Sequence, residues 1–179
     1  LHVERGFGRE ESTVTVFATE GTHQIYNQLS KDSEELCITM ADAMALKRSS
    51  AVHRVAPIMV GSAPVAYAGR EREVTILGST HELFQIRDLS MAQGRFLPEG
   101  DVRRPEAVCV AGYKIKTELF GNASPLGQFI RIGERRFRVI GVLARKGQSL
   151  GLDMSDVMVI NEASAEALFN RSSLFRILV

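Results

Sequence analysis

The stretch SPLGQFIRIGERRFRVIGVL, residues 124–143, constrains the fold more than any other part of the chain. Ser124-Pro125 and Gly127 suit a turn, and Phe129, Ile130 and Ile132 follow. The pattern breaks at Gly133-Glu134 and resumes with Phe137, Val139, Ile140, Val142 and Leu143. Two short apolar runs around a Gly-X step predict a β-hairpin closed by a type II′ turn, the glycine supplying the positive φ. The same stretch holds no nucleophile, no cluster of metal ligands and no phosphate loop.

Around it the chain alternates strand and helix signals. Residues 12–21 (STVTVFATEG) read as a strand ending at Gly21, and 22–38 as a polar loop with some helix. Thr39, three residues before Asp42, is a capping-box-like start for a helix over 40–48, with Lys47 and Arg48 near its end. Residues 52–79 read as successive strands turned at Ala68-Gly69, with Pro57 and Pro64 demoting parts to edge or bulged positions. A brief helix near 81–85, a strand-like LSMAQGRFL and a polar loop around Pro98, Gly100 and Pro105 come next. EAVCVAG is a short buried strand, and YKIKTELF a helix closed by Gly121-Asn122. After the hairpin, 144–156 is a Gly- and polar-rich connector. VMVI is a strand, 162–169 a helix capped by Asn161, and LFRILV a last strand.

This order predicts an α+β fold. Two βαβ-like pieces, 13–17/40–48/52–60 and 157–160/162–169/174–179, form one lobe made of residues 1–80 and 150–179. Residues 81–149 form an inserted, mainly β second lobe of strands, one helix and the hairpin. With 179 residues, the chain buries roughly 70% of its unfolded surface and needs no metal or disulfide staple. Hydrophobic residues make up 45% and charged residues 24%, a globular and not a disordered profile. The net charge of +1 gives no electrostatic argument for nucleic acid or an anionic membrane surface. No run approaches the ~18 apolar residues of a membrane span. The chain begins at Leu1 and stops within a strand-like segment, which predicts a piece of a longer polypeptide. Cys37 and Cys109 fit neither a zinc ribbon nor a CxxC site and read as two semi-buried thiols, their pairing left open.

The search for chemistry returns a consistent negative. His2, His23, His53 and His81 are scattered. HELFQ begins like a zinc-protease helix, but Gln85 stands where the second His is required. His81 reads as a partly exposed helix start and His53 as a solvent-facing strand residue. Ser62 and Ser149 lie near glycines without the strand-Ser-helix context of a nucleophile elbow, so both read as turn serines. Glu34-Glu35, Asp153 and Asp156 are the carboxylates a glycosidase pair would draw on, and read as solvated. GVLARKGQS has its Lys before the second Gly, unlike a P-loop, and Gly6 and Gly8 in ERGFGRE have no strand before them. Arginines at every second position of 69–74 and 133–139 suit the outward face of a half-buried sheet. Asn122 and Asn170 begin formal glycosylation sequons. No catalytic, cofactor-binding or metal-ligating residue is expected.

GRFLPEGDV, EAVCVAG, ELFGNASPLGQFIRIGERRFRVIGVLARKG and DVMVI, in that order and spacing, resemble the extracytoplasmic domain of MacB/FtsX-type ABC transporter permeases. The shared pattern is Gly94-Arg95-Phe96, Leu119-Phe120-Gly121, Pro125-Leu126-Gly127, the Ile-x-Ile-Gly hairpin and Ile140-Gly141-Val142. The match covers about residues 39 to 179, the first 38 being less typical. The resemblance implies two βαβ pieces with an inserted lobe, set between the first and second transmembrane helices of the parent permease. The chain is then expected to run on beyond Val179. The resemblance further implies a separate cytoplasmic ABC ATPase domain or subunit that hydrolyses ATP and a second permease copy as partner, and it allows a periplasmic adaptor protein as another. The domain is then expected on the outer side of the bacterial cytoplasmic membrane. It is expected to be noncatalytic and without cofactor, passing conformational change to substrates or partners outside, in efflux or in peptide or lipoprotein export. Loops 98–106 and 144–155 are the expected contact regions. The competing reading is a sensor or ligand-binding domain that holds a peptide or lipid between its lobes.

Overall fold

The hairpin forms as its sequence demands. Strand β7 (Phe129–Ile132) pairs antiparallel with β8 (Arg135–Leu143), Ile132 opposite Arg135, so Gly133-Glu134 is a two-residue loop. Gly133 has φ +56° and Glu134 does not enter the positive region, as a type II′ turn requires. The structure is a computed structural model that describes residues 2–6, 13–17, 38–50, 52–100, 104–145, 148–149, 151–171 and 174–179. Its other strands are β1 (His2–Gly6), β2 (Thr13–Phe17), β3 (Ala56–Tyr67), β4 (Arg70–Ser79), β5 (Met91–Gly94), β6 (Val108–Ala111), β9 (Gln148–Ser149), β10 (Leu152–Asp153), β11 (Val157–Asn161) and β12 (Arg176–Leu178). The helices are α1 (Met40–Lys47), α2 (Glu82–Ile86), α3 (Tyr113–Phe120) and α4 (Glu162–Phe169), with a 3-10 turn at Met154–Asp156. No helix among the described residues is long and apolar enough to cross a membrane.

Ten strands join in one sheet, ordered β1-β2-β12-β3-β4-β11-β6-β8-β5, with β7 bridging β3 and β8. The pairings therefore close a circuit, β3–β4–β11–β6–β8–β7 and back to β3. Both expected βαβ pieces are present. β2 and β3 run parallel with β12 between them, antiparallel to each. β11 and β12 are joined through α4, and β11 runs parallel to β4. Strands β5 to β8 of 81–149 belong to the same sheet, β6 pairing with β11 and β7 with β3, while β9 pairs only with β10.

Strand alternation sends side chains to two cores. Met59, Val65, Val74, Ile76, Cys109, Ala111, Ile130, Ile132, Phe137, Val139, Met158 and Ile160 share the core inside the circuit. Ile115, Leu119 and Phe120 of α3 complete it, with Ala165 of α4. Ile58, Leu77, Val110, Leu143, Val157 and Val159 turn to the opposite face, under Leu83, Leu89, Phe96, Leu97 and Met154. Burial on both faces is why VMVI and VCVA read as continuous apolar runs. Two glycines let α4 lie against the sheet. A Cβ on Gly78 would sit 2.3 Å from the Ala165 Cβ, and one on Gly61 would enter the Phe169 ring.

Several local expectations are corrected. Pro57 and Pro64 lie in β3, which is not an edge strand of the sheet, yet each stands where β3 is paired on one side only, Pro57 opposite Ile177 of β12 and Pro64 opposite Glu73 of β4. Pro64 is tolerated because its carbonyl accepts from Gly133 N (2.8 Å) where the β7 ladder ends, so no donor is missed there. Pro57 lies beyond the last β4 pair, Met59 opposite Gly78. His53 is exposed but precedes β3 instead of lying in a strand. Gly6 is itself the last residue of a strand, β1, where none was expected before it. The 144–156 connector contains the β9–β10 hairpin and the 3-10 turn, whose Met154 is buried because it fills the second core. The expected loop at 22–38 lies outside the described residues up to 37.

Candidate functional site

The buried polar side chains among the described residues gather at one place. Ser79, Thr80, Glu82, Glu162 and Ser164 all lie where the parallel strands β4 and β11 end, with Ser79 opposite Asn161. The carboxyl ends of parallel strands are where α/β sheets leave a crevice, because each strand hands over to a helix there. β4 leads into α2, which His81 precedes as its half-buried N-cap residue, and β11 leads into α4.

Most of these groups hold the crevice together. The Asn161 carboxamide oxygen accepts from Ser164 N (3.0 Å), capping α4, and its Nδ2 donates to Arg104 O (2.8 Å). Ser164 Oγ donates to Glu106 O (2.9 Å) and accepts from Glu106 N (3.0 Å), so residues 104–106 are tied down instead of free. Glu82 pairs with Lys47 (2.7 Å) and accepts from Val55 N.

Glu162 and Ser79 are different. Glu162 is 3% exposed and its Oε1 has no hydrogen-bond partner; Ser79 is 0% exposed and its Oγ has none either. Both residues line a hollow of about 20 Å³, shared with His81, Pro98 and Glu106. Burial, with a smaller contribution from the charge of Glu166, pushes the Glu162 carboxyl up to about 7. A neighbouring hollow of about 90 Å³ is lined by Met40, Met44 and Pro57 together with His81, Glu82 and Glu99. A carboxyl titrating near neutrality has the right pKa for proton transfer. Here Ser79 is bonded to no base, and no three His, Cys, Asp or Glu among the described residues are grouped to hold a metal ion.

A second, open cleft of about 510 Å³ lies between α3 and residues 153–155. Asp156 there pairs with Arg72 (2.9 Å) and Lys114 (2.8 Å), and Arg72 also pairs with Glu118. The hydrogen bond from Lys114 to Asp156, and then the Asp156 charge, raise the Lys114 pKa. Arg145 stacks over Tyr113 with its guanidinium 4.4 Å from the ring centroid. Opposite charges are paired here, so the cleft ties β4, α3 and the 3-10 turn together.

The residues singled out from sequence do not assemble. Asp153 accepts from Ser155 N (2.9 Å) at the start of the 3-10 turn, while Asp156 is occupied by two cations and is not simply solvated. Ser62 is not a turn serine: it lies within β3 and donates to the cross-strand carboxylate of Glu73 (2.5 Å). Cys109 is a buried free thiol whose pKa burial drives far up. Cys37, Glu34, Glu35 and His23 lie outside the described residues, as do the side chains of Ser149 and His2. Of the arginines in 69–74 and 133–139, Arg70, Arg135, Arg136 and Arg138 are exposed, whereas Arg72 is half-buried and paired with Glu118 and Asp156. Sequence reasoning missed Ser79 and Glu162. The one available signal was the Asn161-Glu162 start of α4, which reads as an ordinary acidic first turn until β4 is known to lie beneath it.

Comparisons with known proteins converge on one family. The model of the MacB-like periplasmic core domain matches residues 3–179. The pyoverdine export ATP-binding/permease protein PvdT of Pseudomonas aeruginosa is 31% identical over 131 residues, 73% of this chain and 20% of that protein. The macrolide export ATP-binding/permease protein MacB of Syntrophobacter fumaroxidans is 34% identical over 127 residues, 69% of this chain and 18% of that one. The chain thus spans about a fifth of the length of these curated relatives. The crystal structure of the periplasmic region of MacB from Actinobacillus actinomycetemcomitans shares the fold, with a TM-score of 0.75 at 24% identity over 93% of this chain and 73% of that one. The extracellular domain of the transporter YknZ from Gram-positive bacteria gives 0.69 at 23%, covering 82% and 74%. An extracytoplasmic domain of a MacB-like ABC transporter permease accounts for the sequence motifs, the sheet and these likenesses together, and the chain belongs to the family of MacB-like periplasmic core domains.

Proposed function

We propose that the chain is the noncatalytic relay of its permease, passing ATP-driven conformational change to a substrate or partner outside the membrane. The observation that carries this reading is the closed hydrogen-bonded circuit with a core on each face. Close-packed interiors do not deform continuously, so such a body moves as a unit about its attachments. Residues 1–80 and 150–179 form the membrane-proximal part and 81–149 the outer part. The two are joined by the β11–β6 and β3–β7 pairings, with Val159, Val110, Val65 and Ile132 buried along them. A seam filled in this way favours transmission over a sensor that opens between lobes to hold a peptide or lipid. ATP is hydrolysed by a cytoplasmic domain or subunit. A second permease copy and a periplasmic adaptor are the further partners, and export of small molecules, peptides or lipoproteins is the process served.

Spin labels at Arg48→Cys and Gln128→Cys, both exposed positions, test the relay in the full-length permease with Cys37 replaced by serine. The distance between the two labels of one copy is expected to stay constant through ATP turnover, while the distance between equivalent labels of two copies changes. A variable distance within one copy, or a constant one between copies, refutes it.

A further inference from the structure

We propose that the hollow between β4 and α4 is a binding site for a single internal water, bridging Ser79 Oγ and Glu162 Oε1. Both atoms are sealed from bulk solvent and bonded to nothing in the chain. Buried polar atoms in native proteins almost always find a partner, and where the chain supplies none the partner is an ordered water. The hollow's 20 Å³ suits that occupant. A water needs about 10–15 Å³ of this kind of space and two to four polar neighbours. A metal ion would need a set of charged ligands, and the described residues offer no such group.

The site carries a proton as well as a water. Glu162 is surrounded mainly by acids: Glu106 lines the same hollow, Glu166 lies one turn further along α4, and Glu99 and Glu82 border the adjoining hollow. His81 lines both hollows, and the Lys47 ammonium is engaged by Glu82. A neutral Glu162 carboxyl can donate to the water through its hydroxyl and accept through its carbonyl oxygen, while the Ser79 hydroxyl rotates to suit. The water thereby links the end of β4 to the first residue of α4, at the point where the chain leaves the circuit for β12.

High-resolution crystals of the 179-residue chain grown at about pH 5.5 test this, the expected peak lying about 2.6–3.2 Å from both atoms. Solution exchange spectroscopy should give a long-lived water cross-peak to the Ser79 and Glu162 amide protons. Ser79→Ala removes one anchor and is expected to abolish both signals; Glu162→Gln keeps a donor and an acceptor and is expected to retain them. A dry hollow, a direct Ser79–Glu162 hydrogen bond, loss of the water in Glu162→Gln, or a rubidium anomalous peak marking a cation would each overturn the assignment.

Discussion

Replacing Glu162 by glutamine should make the protein more stable in alkaline solution and leave it nearly unchanged in acid. The Glu162 carboxyl is raised from 4.5 to about 7 in the folded chain, so between those values the folded state binds a proton the unfolded state has lost. Stability then falls as pH rises through that window and levels off above it. At about 1.36 kcal/mol for each pKa unit, the full cost approaches about 3 kcal/mol. Glu162 is the first residue of α4, whose positive end favours a carboxylate by roughly 0.3–1 kcal/mol, and an effect of about 2–3 kcal/mol is the result to expect. Glutamine copies the shape and hydrogen bonding of the neutral acid but cannot ionise. For a chain of this size that difference corresponds to a melting temperature roughly 4–12 °C higher than wild type in alkaline buffer, converging as pH falls. Thermal and urea unfolding of both proteins across roughly pH 4.5 to 8.5 measures it. Parallel profiles, with no divergence above neutrality, would refute a buried, proton-holding Glu162.

Three further outcomes follow from packing and charge. Gly78→Ala should lower stability by about 1–3 kcal/mol in denaturant titrations, because its Cβ would lie 2.3 Å from the Ala165 Cβ and only a shift of the whole of α4 relieves the overlap. Asp156→Asn should cost about 1 kcal/mol, measured in the same way and shrinking with added salt, because it weakens two half-exposed ion pairs at once. In a Cys37→Ser background the Cys109 thiol should resist a water-soluble thiol reagent at neutral pH and react only as the protein unfolds; prompt reaction in native buffer would contradict its burial.

Local pattern carried most of the elements and none of the closure. The hairpin at Gly133, the left-handed turn at Ala68-Gly69 (φ 49° and 78°) and the Asn161 cap are decided within four residues, so they were legible. Both βαβ pieces were legible for the same reason, each being a periodicity change along the chain. That β7 reaches back to β3, making the circuit, depends on partners more than sixty residues apart that no local signal joins. Pro57 and Pro64 did mark places where β3 is paired on one side only, but a proline forbids a ladder bond on one side alone, and that β3 lies inside the sheet order is a property of the whole sheet. The polar crevice was illegible in the same sense. Ser79 and Glu162 are unremarkable where they stand in the sequence, and only the register of β4 against β11 makes them neighbours and removes them from water.

The strands that come last in the chain lie in the middle of the sheet. β11 separates β4 from β6, and β12 separates β2 from β3. While the polypeptide is being made, the strands before residue 157 therefore wait as the β1–β2 pair and an opened circuit, β4–β3–β7–β8–β6, whose β4 and β6 borders stay unpaired. Assembly is completed by insertion, not by adding to an outside edge, and such long-range pairing is slow. A chain halted between β10 and β11 would have nearly all its secondary structure assigned and no way to seal it. Shortening the C-terminal quarter should thus be far more damaging than trimming the same number of residues from the other end.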